Sequence, residues 1–233
     1  MIFILGVCIT VAGTWWLHNN LKNKLETEFQ NKADRISLEL QQRFNNPVYA
    51  LHGARNLFDI KQDLSAAQFE SAARTRNLPV EFPGIRGLGF VEKVAQEDLA
   101  NYIKQQRIDT DPQFNLQEFQ GPRSAARYMA KYFVSPFNSH FVPGADLGSD
   151  SRRRVAIEEA INTGQASISP LIYAPPKTAK KASILMFVPV FKKGAPIDTP
   201  SQRQAAIYGL VYAPVILQEL LANMRDVENG NLQ

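Results

Sequence analysis

The chain has 233 residues, enough for one sizeable domain with appendages, and its 45% apolar and 21% charged content is that of a folded protein. Its 26 basic against 22 acidic residues leave a formal charge of +4, too small and too dispersed to point to nucleic acid, although weak attraction to anionic lipid headgroups stays open. The single cysteine, Cys8, excludes a disulfide within the chain, so stability rests on core packing; an oxidising compartment is not thereby excluded, because domains of this size manage without disulfides.

Residues 2–17 are apolar apart from Thr10 and Thr14, with Trp15, Trp16 and His18 at the polar edge. As a helix the run spans about 24 Å against about 30 Å of bilayer hydrocarbon. No basic residue precedes it, and helical pattern continues past Trp16 without a small-residue cleavage site. Residues 1–17 therefore read as the end of a transmembrane helix that the sequence enters part-way, in preference to a signal peptide.

From Leu21 onward the apolar positions Leu25, Phe29, Ala33, Ile36, Leu40, Phe44, Val48 and Leu51 recur every three or four residues. This predicts a long helix over residues 18–60, with a kink expected at Pro47. Repeats at eleven residues favour a straight or slightly right-handed stripe over a heptad coil. Such a helix can pack on its own domain, and it can also be a stalk that pairs with a second protomer.

Ser65 and Gln68 form a capping box for a short helix to about Arg76, and turn chemistry follows from Pro79 to Gly84. Strands are expected over residues 85–94, 114–119, 128–134, 166–173, 183–191 and 206–212, with helices over 96–106, 150–163 and 214–224. Within the helix over residues 150–163 Asp150 or Ser149 can cap the start, Val155, Ile157, Ala160 and Ile161 give a buried stripe, and Gly164 can close it in a left-handed turn. The layout is α+β: a long N-terminal helix, then an antiparallel sheet meander with flanking helices on one face. Loops 174–181 and 192–204 carry Lys177, Lys180, Lys181, Lys192 and Lys193, which read as solvated tips, with an anionic partner as the alternative.

Catalytic and cofactor chemistry finds little support. His140, Asp146 and Ser149 or Ser151 would share one loop without a nucleophile elbow. His18, His52 and His140 have no ligand partners at metal-binding spacing, and Gly84, Gly87 and Gly89 lead into a strand where a phosphate cradle would open a helix. No cofactor is expected. Arg152, Arg153 and Arg154 sit in the first turn of their helix against the macrodipole, where one can bind an acidic ligand and pairing with Asp150 or Glu158 is the alternative.

Several ordered blocks resemble one family. Phe69, Pro83-Gly84-Ile85 leading into Gly89-Phe90-Val91, the strand end at Tyr132, the loop and helix of residues 144–164, Ser169-Pro170, the run 187–191 and the run 209–213 are similar to CHASE domains in kind and order. The resemblance implies the extracytoplasmic sensor of a bacterial inner-membrane receptor, with this region in the periplasm. It implies a membrane-distal PAS-like ligand-binding module over residues 61–212, and a linking helix with the start of a truncated proximal PAS-like module over 213–233. It also implies a non-catalytic region whose receptor carries a histidine kinase or diguanylate cyclase as output. In plant cytokinin receptors of that family an aspartate eight residues before the signature arginine hydrogen-bonds adenine, and Asp146 stands at that spacing from Arg154. Asp146 is thus a candidate contact to a small organic, adenine-type ligand, the alternative being a turn cap. Ile168 falls near a backbone contact of those receptors, one residue out of register, and Tyr128, Tyr132, Tyr173 and Phe187 are candidate pocket walls. The implied partners are a small ligand, a second protomer through the stalk and the membrane, with no nucleic acid; a protein-interaction module is the competing function.

Overall fold

The computed structural model describes residues 2–119, 126–137, 143–173 and 182–222, the side chains of residues 2–12, 14, 17, 19 and 173 excepted. Residues 174–181, with Lys177, Lys180 and Lys181, lie outside the described residues, as do residues 223–233 of the linking helix and proximal-module start expected over 213–233. Two units emerge, the first containing residues 2–43 and the second residues 44–222. Helix α1 (Ile2–Ile60) supplies residues to both and runs on through Pro47. In the first unit its side chains Leu21, Leu25 and Phe29 are exposed. Among the described residues no helix is long and apolar enough to cross a membrane; most side chains of the apolar run 2–17 are outside that description.

The second unit continues with α2 (Ala66–Arg74), α3 (Leu78–Glu81), β1 (Leu88–Ala95), α4 (Leu99–Asp109), β2 (Gln117–Glu118), β3 (Ala126–Val134) and β4 (Ala145–Asp146). After a single 3-10 turn come α5 (Ser151–Thr163), β5 (Ser167–Ile168), β6 (Ile172–Tyr173), β7 (Ala182–Phe191), α6 (Pro200–Ala206), β8 (Ile207–Ile216) and α7 (Leu217–Leu220). The expected capping box forms, Ser65 accepting from Gln68 N while the Gln68 side chain accepts from Ser65 N. Asp150 caps α5, and Gly164 ends it at φ 72°, a left-handed turn that costs glycine nothing.

The strands form one sheet in the order β2-β4-β3-β1-β8-β7-β5, with β6 also on β7. The pairings are antiparallel except β2 with β4. The α+β class holds, but helices cover both faces. On one face Leu51, Ala54 and Phe58 of α1 and Phe69 and Ala73 of α2 pack on Phe90, Tyr132, Met186, Val188, Val211 and Ala213. On the other, Ala156, Ile157, Ala160 and Ile161 of α5 pack on Val91, Tyr128, Leu185, Phe187, Leu210 and Tyr212. A helix on one face alone would leave a row of alternating strand residues in water, which this sequence avoids by being apolar on both. Val155, expected in the buried stripe of α5, is 62% exposed, and Ala156 takes its place.

Residues 214–216 continue β8 where a helix was expected from Pro214. Val211, Ala213 and Val215 alternate into the α1 face, and Pro214 O accepts from Arg86 N on the β1 side. A residue's N and C=O point to the same side of a strand, so the missing proline N–H falls away from the β7 ladder. Helix α6 begins inside the expected lysine-bearing loop 192–204; its capping box, Thr199 with Gln202 and Pro200 at the first turn, is legible in the sequence.

Candidate functional site

The site is built around the loop that joins β4 to α5, on the face of the sheet that α5 covers. Asp146 is fully buried. Its Oδ1 accepts from Tyr128 N and Gly148 N, each at 3.0 Å, and its Oδ2 pairs with Arg127 Nη1 at 3.1 Å. Arg127, itself buried, also pairs with Glu118 and donates from Nε to Gln96 Oε1 at 3.0 Å. Ser149 Oγ donates to Asp146 O and accepts from Phe119 N, both at 2.7 Å. Three protein donors thus converge on the Asp146 carboxylate, which ties β3, β4 and the loop together.

At the start of α5 the three arginines divide. Arg152 pairs with Asp150 at 3.1 Å. Arg154 donates from Nε to Gly148 O at 2.6 Å and lies 3.6 Å from Glu158. The Arg153 guanidinium lies over the Phe119 ring, its Cζ 4.0 Å from the centroid, without a carboxylate within 4 Å among the described residues. Burial depresses its pKa. Beneath it the sheet is aromatic: Phe133 stacks on Tyr212 at 5.8 Å, and Phe187 lies 6.2 Å from Tyr212. Gly89 opposite Tyr212 makes room for that ring, because a Cβ there would overlap it. Burial, with the Glu158 charge, pushes the Tyr128 phenol up to about 12, so it stays a neutral donor at any physiological pH.

Burial alone would raise the Asp150 carboxyl; hydrogen bonds from the Arg152 side chain and backbone outweigh it and hold the pKa below the ordinary value. A carboxyl depressed in the folded state adds stability that is full above the unfolded pKa of about 3.9 and is lost as pH falls below it. Asp150→Ala is expected to cost about 1 kcal/mol at neutral pH, the usual worth of a helix cap. Melting temperatures of the two proteins should converge between pH 5 and about pH 3; a gap that stays constant would remove the carboxylate charge from this account.

The other sequence candidates are scattered. Asp146, Tyr128 and Phe187 share the α5 face. Tyr132 lies on the α1 face, where it stacks on Phe69 at 5.6 Å, donates to Leu64 O at 2.7 Å and lines a cavity of about 270 Å³ with Glu70, Arg74 and Phe137. One pocket therefore cannot use both tyrosines as walls. Ile168 is 44% exposed on β5, opposite Met186. Tyr173 lies in β6 and its side chain is outside the described residues, as is His140. Phe119, Phe133 and Tyr212 were not singled out from the sequence; only the arginine run signalled the place. Among the described residues no cluster of His, Cys, Asp or Glu could hold a metal ion.

A family model described as CHASE domain matches residues 62–233. No curated protein matches the chain. Similar solved structures include the ligand-binding domain of the Pseudomonas aeruginosa amino acid chemoreceptor PctC in complex with GABA, at 9% identity and TM-score 0.48, covering 85% of this chain and 65% of that one. The periplasmic sensory domain of the Campylobacter jejuni chemoreceptor Tlp1 is similar at 10% identity and TM-score 0.48, covering 86% and 62%. A structure named methyl-accepting chemotaxis protein X follows at 12% identity and TM-score 0.40, covering 83% and 65%. The chain thus spans less than two thirds of the length of these structures.

Proposed function

The chain belongs to the CHASE domain family, and from that premise we propose that it is the periplasmic sensor region of a bacterial inner-membrane receptor, non-catalytic itself, that binds a small organic ligand on the α5 face of its sheet. The observation that carries this reading is the cluster at the β4–α5 loop, where aromatic rings from three strands meet two arginines beside a rigidly braced turn. Binding sites of this kind combine apolar walls with a few fixed polar groups. Asp146 enters the proposal as the brace of that turn, and Tyr128 and Phe187 as its walls. In this reading residues 2–17 anchor the chain in the membrane. The exposed stripe Leu21, Leu25 and Phe29 pairs with a second protomer, and α1 passes a small displacement to a histidine kinase or diguanylate cyclase output. Ligand must then bind the two arrangements of α1 with different affinity.

The test is the melting temperature of the full chain in mild detergent against adenine derivatives, organic acids, amino acids and nucleosides. A compound at about 100 times its dissociation constant should add about 2.7 kcal/mol, several degrees for a domain of this size. Burial of both Tyr128 and Phe187 favours a second reading, a non-catalytic interaction module that mediates dimerisation or holds a partner protein. A well-folded chain that no compound shifts would select that second reading.

A further inference from the structure

Arg153 is a partly buried cation with no carboxylate partner among the described residues. Its Nε has no solvent contact and no hydrogen-bond partner, and Arg154 Nη2 beside it is in the same state. Asp150 is engaged by Arg152, and Glu158 faces Arg154, so the nearby carboxylates are committed elsewhere. Residues 120–125, 138–142 and 174–181 contain no Asp or Glu. The Tyr212 hydroxyl, on a ring fixed between Phe133 and Phe187, forms no hydrogen bond among the described residues, and the charge of Arg153 acts on it. A partly desolvated guanidinium without a counter-charge costs stability, and a fold that keeps one gains from it when an anion arrives.

We propose that the ligand is an organic carboxylate, held by the Arg153 guanidinium over the Phe119 ring, with the Tyr212 hydroxyl as a neutral donor. The proposal rests on the sensor reading above and narrows it to a ligand class. Guanidinium and carboxylate match in geometry, and the aromatic surroundings suit the organic body of such a molecule. A phosphate dianion fits less well, because the Asp150 carboxylate also acts on Arg153.

The experiment has a readout that needs no ligand. Arg153→Met keeps the length of the side chain and removes the unpaired charge, so the unliganded full chain should melt at the wild-type temperature or higher. A marked fall would make Arg153 a structural residue and overturn the proposal. The second readout screens acetate, pyruvate, lactate, succinate and γ-aminobutyrate against the corresponding neutral amides. At least one carboxylate should raise the melting temperature by several degrees, its amide should not, Arg153→Met should abolish the shift, and Tyr212→Phe should weaken it. Shifts produced by neutral compounds in wild type and Arg153→Met alike would leave the sensor reading standing and remove the carboxylate. No shift with any carboxylate overturns the proposal, and the broader compound panel then decides whether the sensor reading falls with it.

Discussion

Asp146→Ala is expected to destabilise the protein by about 3–5 kcal/mol, the loss typical of removing one partner from a buried ion pair. The carboxylate is fully buried and takes two backbone N–H groups and the Arg127 guanidinium. Its removal strands the donors of Tyr128 and Gly148 and leaves Arg127, with a 5% exposed side chain, to Glu118 and Gln96. Asp146→Asn retains an acceptor oxygen for the two N–H groups while losing the charge, and should cost visibly less. Urea unfolding of the three proteins measures both; a midpoint unchanged in Asp146→Ala would mean that the carboxylate braces nothing. This result bears directly on any binding experiment. Loss of ligand response in Asp146→Ala follows from a disordered loop as readily as from a lost contact, so a contact is shown only by a variant that still folds.

The two tyrosines of β3 illustrate where sequence pattern stops. Tyr128 and Tyr132 are four residues apart, and strict alternation puts both on one face. The register moves from Phe90↔Tyr132 to Val91↔Ala130, so Lys131 is an extra residue, and beyond it every side chain changes face. Nothing in the alternation of Tyr-Met-Ala-Lys-Tyr announces that bulge, which is fixed by the β1 partner. Local chemistry was legible wherever the physics is local. The Ser65 box, the Asp150 cap and the Gly164 stop involve residues within four positions of each other, and each formed as the sequence implied. The strand that extends through Pro214 depends on Arg86, over a hundred residues away, and the orphaned state of Arg153 depends on which neighbours Asp150 and Glu158 choose. Those are tertiary outcomes, which no pattern within one segment carries.

The second large effect concerns the join between α1 and the sheet. Phe58, in the last turns of α1, is 1% exposed and stacks on Phe90 at 4.1 Å, with Phe69 at 6.0 Å and Tyr208 at 6.4 Å. Phe58→Ala is expected to cost about 3–5 kcal/mol, since the surrounding rings come from α2, β1 and β8 and cannot all close on the void. Phe58→Leu keeps most of the apolar volume and should cost less, about 1–2 kcal/mol. Denaturant midpoints test the magnitudes. Hydrogen exchange tests the location: protection should fall first in residues 44–60 while β7 and β8, the central ladder, retain theirs until global unfolding. If the central strands lose protection together with α1, the helix is an inseparable part of the core. In that event a ligand on the α5 face could move α1 only by deforming the sheet itself. A separable helix permits the less costly route, in which the aromatic contact at Phe58 holds either of two arrangements and ligand binding selects between them.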